Sequence, residues 1–370
     1  MNTHSKQSVV LRVMAAAATV MMASACGGEG AGSSGEVVLD MAAGSPSDSG
    51  QGRAYARWME ELESRSGGEF KISQFWNGEL LAENEVKSGL QDGRVQLGTF
   101  SYAYSPNEFP LTQMVEIPDL GNNLGAQATA MNTLYDRNDE FRAEWEEGAG
   151  IKVLSFVPIA PPITGAKEPI TTIDWFRGKT VRASGAVTRA VEAIGGNPVP
   201  ITAADSYEAM QRGTIDAYGG MILDYLPSNG LYEVGPHVMD SGLGHYAITT
   251  WGMSMETWES LTPEQQELLE ELNSEFPLWV VESTTEVEDE ACNVVLENGG
   301  TASMLPESET ERWLEAIGGD ALEVWYEKAS AAGASDPRAM YAEMVGYYED
   351  AKNGEFSGYQ SGMERCSARS

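Results

Sequence analysis

The spacing of apolar residues in the middle of the chain predicts a compact unit in which three strands alternate with two helices. Residues 179–183 form a short run typical of a strand, and Arg182 lies near its end. In the next segment Val187, Val191 and Ile194 are four and three residues apart, as on one face of a helix. The second and third strands are predicted at residues 198–201 and 214–218.

Residues that favour helix ends mark the limits of both helices. Ser184 is a suitable N-cap for the first helix. The Gly195-Gly196 pair ends that helix, because glycine accepts the left-handed conformation of a C-terminal cap. Thr202 is expected to start the second helix in an approximate capping box, and Gly213 to end it.

The same kind of pattern orders the rest of the chain. A strand and then a helix at residues 52–64 open a strand–helix–strand–helix–strand order, which implies a parallel sheet with right-handed crossovers. Further on, Thr262 and Pro263 start a long helix that runs towards Glu297. We expect a kink in it at Pro277.

Arg182 is the residue whose predicted position suggests a function. It lies at the carboxyl end of a strand, beside the start of a helix, where open α/β sheets bind ligands and where anions are favoured. A planar guanidinium there matches the geometry of a carboxylate. The alternative is a surface arginine paired with one of the many acidic residues.

Three motifs in this unit resemble one family. The segments GKTVRASG, IGGNPVPI and SYEAMQRGTIDA are similar to those of solute-binding proteins of tripartite ATP-independent periplasmic (TRAP) transporters, of the dicarboxylate-receptor type. The resemblance implies an α/β, two-lobed periplasmic-binding-protein fold, in which each lobe is a mixed sheet flanked by helices and a long helix spans both lobes. It places the first lobe at residues 36–158 plus 246–275 and the second at residues 159–245 plus 276–370.

The resemblance also implies a function. Such a protein is an extracytoplasmic receptor that closes its lobes around a small organic acid and delivers it to the membrane subunits of the transporter. Arg182 would bind the carboxylate. Many relatives have a second arginine where this chain has Pro161-Pro162, and an asparagine where it has Gly220. Arg182 is then the one residue at these positions that can bind a carboxylate. We therefore expect a monocarboxylate, because an unpaired second charge in a closed cleft is costly.

The rest of the binding cleft is expected to be apolar and aromatic. Each candidate taken singly could instead pack inside the core of a lobe. We therefore expect the group as a whole to contribute to the cleft, more than any one of its members. The candidates, chosen by their position in the chain and in addition to Gly220, are Trp76, Phe100, Tyr102, Tyr218, Met221 and Trp251.

The beginning of the chain predicts export. Residues 1–25 combine a basic start with a short apolar stretch, as in a signal peptide, and end in Ala23-Ser24-Ala25 before Cys26. This pattern resembles a bacterial lipoprotein cleavage site, so we expect a lipid on Cys26 to anchor the protein to the membrane. The glycine- and serine-rich residues 26–35 would be a flexible tether.

Two more cysteines remain after Cys26. In an exported protein Cys292 and Cys366 form an even pair, which favours a disulfide over two separate buried thiols.

Composition narrows the range of partners. The 370 residues suffice for two domains, and the net charge of −33 argues against nucleic acid or anionic lipid as a partner. Three histidines and the absence of catalytic motifs predict no metal site, no cofactor and no enzyme activity, and we expect a monomer. Two alternatives stay open. A carboxylate pair hidden among the 56 acids would make a lipid-tethered hydrolase, and a receptor could serve a signalling protein instead of a transporter.

Overall fold

The computed structural model describes residues 36–117, 121–244 and 247–370. The predicted signal peptide, the lipidation site at Cys26 and the tether at residues 26–35 lie outside the described residues. So does the predicted lobe boundary between residues 245 and 246.

Eleven strands in the described ranges form two separate mixed sheets. The first sheet has the order β2-β1-β3-β10-β4 and the second has the order β11-β9-β5-β8-β6-β7. The strands are β1 (Val37–Ala42), β2 (Phe70–Phe75), β3 (Leu97–Phe100), β4 (Ile151–Pro158), β5 (Ile163–Ala166), β6 (Thr180–Arg182), β7 (Asn197–Val199), β8 (Ala217–Met221), β9 (His237–Asp240), β10 (Ile248–Ser254) and β11 (Thr301–Met304).

Helices cover both sheets. Short 3-10 turns lie at Tyr102–Tyr104, Pro106–Glu108, Thr112–Glu116 and Ile173–Phe176, and a π-helical turn lies at Glu144–Ala149. The α-helices are α1 (Gly50–Arg65), α2 (Glu83–Gln91), α3 (Leu124–Arg137), α4 (Asp139–Ala143), α5 (Ala186–Ala193), α6 (Ala203–Arg212), α7 (Tyr225–Ser228), α8 (Leu231–Val234), α9 (Met255–Ser260), α10 (Pro263–Glu297), α11 (Glu307–Ile317), α12 (Ala321–Ala331), α13 (Pro337–Asn353) and α14 (Gly362–Ser367).

The predicted parallel units are present in both sheets. Strand β1 pairs in parallel with β2 and β3, and β6 pairs in parallel with β7 and β8. Strand β10 returns late in the sequence and pairs antiparallel with β3 and β4. This return makes the first sheet mixed and means that the chain crosses between the two sheets more than once.

Local capping chemistry explains most of the helix ends around β6. Thr202 accepts a hydrogen bond from the Asp205 amide, and Gly213 ends α6 in the left-handed conformation. The prediction for Ser184 is wrong, since Gly185 occupies the N-cap position of α5 without a side-chain cap. Gly185 has φ 55° and ψ −134°, a backbone conformation that glycine adopts far more easily than serine.

The long helix α10 spans both lobes, as the resemblance implies. Its first half buries Leu272 and Phe276 in the core of the first sheet. Its second half buries Cys292 and Val295 in the core of the second sheet. The helix continues through Pro277, and Thr262 forms the predicted capping box at its start.

The last helices do not all stay with the second lobe. Trp325 and Met344, on α12 and α13, are buried in the core of the first sheet. The indole of Trp325 donates to the carbonyl oxygen of Pro110 at 3.0 Å, and the Tyr348 hydroxyl accepts from the Asn123 amide at 3.3 Å. This packing differs from the predicted division, which put residues 276–370 in the second lobe. The apolar faces of α12 and α13 pack against the first lobe, which is distant in the sequence. The order of elements along the chain does not reveal this contact.

The predicted disulfide between Cys292 and Cys366 is present. It joins the second half of α10 to α14, and both sulfurs are buried in the core of the second sheet. The chain end is also held by the Ser370 hydroxyl, which accepts a hydrogen bond from the Ala302 amide at 3.0 Å.

Candidate functional site

Arg182 lies at the end of β6, as predicted, and it is largely buried, with 8% of its surface exposed. Its Nε donates to the carbonyl oxygen of Ile201 at 3.0 Å. Its Nη1 donates to the carbonyl oxygens of Gly219 and Gly220 at 3.0 and 3.3 Å. These bonds fix the guanidinium against the ends of β7 and β8, so the positive charge has a defined position in the second lobe.

The backbone of Gly220 has the left-handed conformation that favours glycine, with φ 71°. A Cβ atom there would lie 3.1 Å from Cγ2 of Val187 and 3.6 Å from Nη1 of Arg182. The residue therefore leaves a space between the guanidinium and α5 that a side chain would narrow. Strand β8 runs to Met221, three residues beyond the predicted end, and includes this glycine.

A cavity of about 390 Å³ opens beside Gly220. Residues from both lobes and from the C-terminal helices line it, so it lies between the two sheets. Among the lining residues are Gln113, Glu116, Pro162, Thr164, Val187, Arg189, Ala190, Gly220, Ser241, Leu243, Trp313, Ile317, Asp320, Val324, Trp325 and Lys328.

The charged residues on the cavity wall balance in number. Arg189 and Lys328 are its cations and Glu116 and Asp320 are its anions. Lys328 donates to the side-chain oxygen of Gln113 at 3.3 Å, and Glu116 accepts from the Tyr102 hydroxyl at 3.0 Å. Arg182 lies directly behind Gly220.

Four of the predicted contact residues are buried inside the lobes. Phe100 packs against Phe109 and Trp145 in the first lobe. Because helices cover both faces of each sheet, residues on both sides of a strand are buried, and the side chain does not reach a cleft. The others are Tyr218, Met221 and Trp251, each no more than 2% exposed.

Tyr218 illustrates the structural role of a candidate residue that is buried inside a lobe. Its hydroxyl donates to the carbonyl oxygen of Gly235 at 2.7 Å, and its ring fills the space beside Gly165. A Cβ atom on Gly165 would lie 2.0 Å from the ring, so the Tyr218 ring fits here because residue 165 is a glycine. Tyr218 therefore stabilises the second lobe.

The two remaining aromatic candidates lie on the first lobe. Trp76 follows β2, packs partly against the core, and donates from its indole to the side-chain oxygen of Gln74 at 3.2 Å. Tyr102 is buried, but its hydroxyl bonds to Glu116, which lines the cavity. Tyr102 therefore holds a cavity residue in place, while neither ring is part of the cavity wall.

Sequence reasoning missed most of the cavity wall. Trp313 and Val324 come from the C-terminal helices, more than ninety positions after Gly220, and nothing in their spacing connects them to it. Arg189 was also missed, although it lies on α5 two residues beyond Val187. Its positive charge on the helix that follows Arg182 was the available signal.

Other kinds of site are less well supported. Among residues 36–117, 121–244 and 247–370, no three His, Cys, Asp or Glu side chains gather closely enough to hold a metal ion. In the same ranges, every helix is either too short or too polar to cross a bilayer.

The sequence matches a known family over most of its length. The profile of bacterial extracellular solute-binding proteins, family 7, matches residues 41–328. The ectoine-binding periplasmic protein TeaA of Halomonas elongata is 27% identical over 202 residues, which are 52% of this chain and 57% of TeaA. The match thus spans little more than half the length of that relative.

Solved structures share the fold. A TRAP periplasmic solute-binding protein from Desulfovibrio salexigens superposes with a TM-score of 0.78 at 22% identity, over 86% of this chain and 98% of its own. A TRAP solute-binding protein from Rhodoferax ferrireducens, in complex with benzoate, gives 0.72 at 18% identity, over 87% and 100%. With the profile match and the two-lobed architecture, these findings establish that the chain belongs to the bacterial extracellular solute-binding proteins of family 7.

Proposed function

We propose that this protein is the extracytoplasmic receptor of a TRAP transporter and captures an organic acid with one carboxylate between its lobes. The observation that carries this proposal is the fixed position of the Arg182 guanidinium, which lies against Gly220 at the edge of the cavity. Pro161-Pro162 and Gly220 offer no charged side chain for a second carboxylate. Because an unpaired charge in a closed, dry cleft is costly, a solute with one negative charge is the best match.

The body of the solute would meet a largely apolar surface. Val187, Leu243, Trp313 and Val324 offer aliphatic and aromatic contacts around the cavity. Binding sites for small molecules commonly combine such walls with a few placed polar groups. Aromatic, hydroxy and 2-oxo monocarboxylates therefore suit the cavity better than four-carbon dicarboxylates. The benzoate held by the Rhodoferax ferrireducens protein has this chemistry.

Two other roles are less well supported. The family consists of transport solute-binding proteins and is not an enzyme class, which disfavours the hydrolase hypothesis. A receptor that presents its solute to a signalling protein would have the same cavity. Reconstitution with the membrane subunits in proteoliposomes would separate these roles, since only a transport receptor drives uptake of the solute.

Anchoring through Cys26 is part of the proposal. The small residues before it and the basic, apolar stretch of residues 1–25 support cleavage and lipidation there. Mass spectrometry of the membrane fraction should find an acylated Cys26 at the N-terminus of the protein. An unprocessed chain in the cytoplasm would contradict this part.

Thermal denaturation with a panel of acids tests the proposed solute class. A ligand that binds only the folded protein raises its melting temperature by mass action. Benzoate, 3-hydroxybenzoate and mandelate represent monocarboxylates, succinate represents dicarboxylates, and benzamide is the uncharged control. At least one monocarboxylate should raise the melting temperature by several degrees at millimolar concentration while benzamide does not. A larger shift with succinate than with every monocarboxylate would contradict the proposal.

A further inference from the structure

The short helix α14 covers a carboxylate that is buried on α10. This carboxylate belongs to Glu288, which is only 3% exposed. The guanidinium of Arg365, on α14, donates to Glu288 at 3.2 Å and to the neighbouring Asp289 at 3.0 Å. Gly362 packs directly on the Glu288 side chain, since a Cβ atom there would lie 2.3 Å from Cδ of Glu288. Helix α14 therefore both covers Glu288 and carries the cation that pairs with it.

The charges beneath α14 do not cancel. Burial raises the pKa of Glu288 to about 7, and the nearby carboxylate of Asp224 contributes to the rise. One side-chain oxygen of Asp224 is itself buried without a hydrogen-bond partner. Among the residues that the structure describes, Arg365 is the one cation paired with Glu288. Because a single ion pair does not fully offset the cost of burying charges, ionised Glu288 opposes the docking of α14.

The disulfide is the covalent link that holds α14 in place. The helix has six residues, which is too few for a helix that is stable by itself in water. Besides the bonds of Arg365, it is held by Met363 in the core of the second sheet and by the bond from Cys366 to Cys292. Whether such a bond forms depends on the redox state of the compartment. The docking of α14 is therefore expected to depend on that state as well.

The chain end also covers an edge of the second sheet. Strand β11 is the first strand in the order of that sheet, and α14 packs against it. The Ala302 amide of β11 donates outwards to the Ser370 hydroxyl. A covered edge strand is protected from pairing with other chains. Release of α14 would thus open the edge of β11, as well as Glu288, to solvent.

We infer that α14 is a redox-dependent lid, which the Cys292–Cys366 disulfide holds over Glu288 and β11 and which undocks, with both lobes still folded, when the two cysteines are thiols. To close the lid, the two thiols give two electrons and two protons to a disulfide oxidant, which becomes a dithiol. Both cysteines are fully buried in the closed state. The undocked state therefore gives the oxidant access to the thiols.

Hydrogen–deuterium exchange measured by mass spectrometry tests this inference on the purified protein. The samples are the oxidised parent, the parent refolded in dithiothreitol, and the double variant Cys292→Ala with Cys366→Ala. Met210→Ala is the matched control, because it removes a buried side chain from the same core as the cysteines and keeps the disulfide. A fourth variant adds Glu288→Gln to the double variant and so removes the buried charge.

Reduction and the double variant should each speed amide exchange in α14 and β11 at least about tenfold, while β1 and β3 keep their protection. Met210→Ala should leave α14 protected. Adding Glu288→Gln should slow exchange in α14 by at least about threefold, because docking then buries no carboxylate charge.

Equal protection of α14 in the oxidised and reduced parent would overturn the inference. Loss of protection throughout both lobes would overturn it too, since the lid would then not move by itself. A fourth variant that exchanges as fast as the double variant would overturn the role of Glu288. None of these results bears on the proposed capture of a solute.

Discussion

Nη1 of Arg182 lies 3.3 Å from the carbonyl oxygen of Gly220, so the guanidinium of the proposed binding site is held by the backbone that borders the cavity. The same nitrogen bonds to Gly219, and Nε bonds to Ile201. Arg182 thus connects the end of β6 with the ends of its two neighbours. Its contribution to the fold and its contribution to binding are expected to change together.

Replacement of Arg182 by lysine should therefore impair both. A lysine keeps the charge, but its single ammonium cannot reach three carbonyl oxygens in one plane. We expect a loss of about 1–3 kcal/mol in the free energy of unfolding, from buried acceptors that lose their donor. Affinity for the best monocarboxylate should fall at least tenfold. Denaturant unfolding and calorimetry measure the two effects, and parent-like values in both would contradict this account of Arg182.

Gly220→Ala should weaken solute binding for two reasons, a strained backbone and a new methyl group beside the cavity. A φ of 71° costs an alanine roughly 1–2 kcal/mol, and the new methyl group would also crowd Val187. Gly213→Ala is a matched control, since Gly213 has φ 69° and its added Cβ meets no atom within 4 Å. Urea unfolding should show both variants destabilised, and calorimetry should show lower affinity only for Gly220→Ala. Equal affinities of the two variants would argue against a solute beside Gly220.

The disulfide should stabilise the C-terminal end of the second lobe. Cys292 and Cys366 are 74 residues apart, and closing a loop of that length stabilises by about 2–4 kcal/mol. Replacing both by alanine should lower the free energy of unfolding by that amount in urea. The reduced parent is the control and should behave like the double variant. An unchanged midpoint in both would contradict the stabilising role.

Stability should fall as the pH rises from about 5 to 8, in part because of Glu288. Burial against α14 raises the pKa of Glu288 from 4.5 to about 7, although Arg365 lies 3.2 Å away and opposes the shift. A group with a raised pKa stabilises the folded state fully below its unfolded pKa. That contribution is lost as the pH passes the folded value.

The measurement for Glu288 is the pH dependence of unfolding in the parent and in Glu288→Gln. Between pH 5 and 8 the parent should lose on the order of 2 kcal/mol more than the variant. The comparison removes the common effect of the remaining acids. Arg365 keeps Asp289 as a partner in the variant, so the fold is retained. Identical slopes would show that Glu288 does not titrate in this range.

Local chemistry made much of the fold predictable. Thr202 and Gly213 mark the two ends of α6, as predicted. Thr262 and Pro263 mark the start of α10. These ends were predictable because they depend on a few neighbouring residues. The position of Arg182 followed from the order of strands and helices. Contacts between distant segments were not predictable in this way. Trp325 returns to the first lobe through packing that only the folded chain brings together.

The aromatic candidates show a second limit. Phe100 and Trp251 lie on strands with both faces covered, and the sequence of such a strand does not show whether an apolar residue faces a cleft or a core.

Calorimetry of the parent protein with one acid, its primary amide and its dicarboxylate counterpart tests whether the cleft selects a solute with a single carboxylate. Benzoate, benzamide and phthalate form such a set if benzoate binds, and the best monocarboxylate replaces benzoate otherwise. The monocarboxylate should bind at least about thirtyfold more tightly than its amide, because loss of a charge-assisted pair with Arg182 costs about 2–5 kcal/mol. The dicarboxylate should bind more weakly than the monocarboxylate. An amide that binds equally well, or a dicarboxylate that binds best, would contradict a receptor for organic acids with one carboxylate.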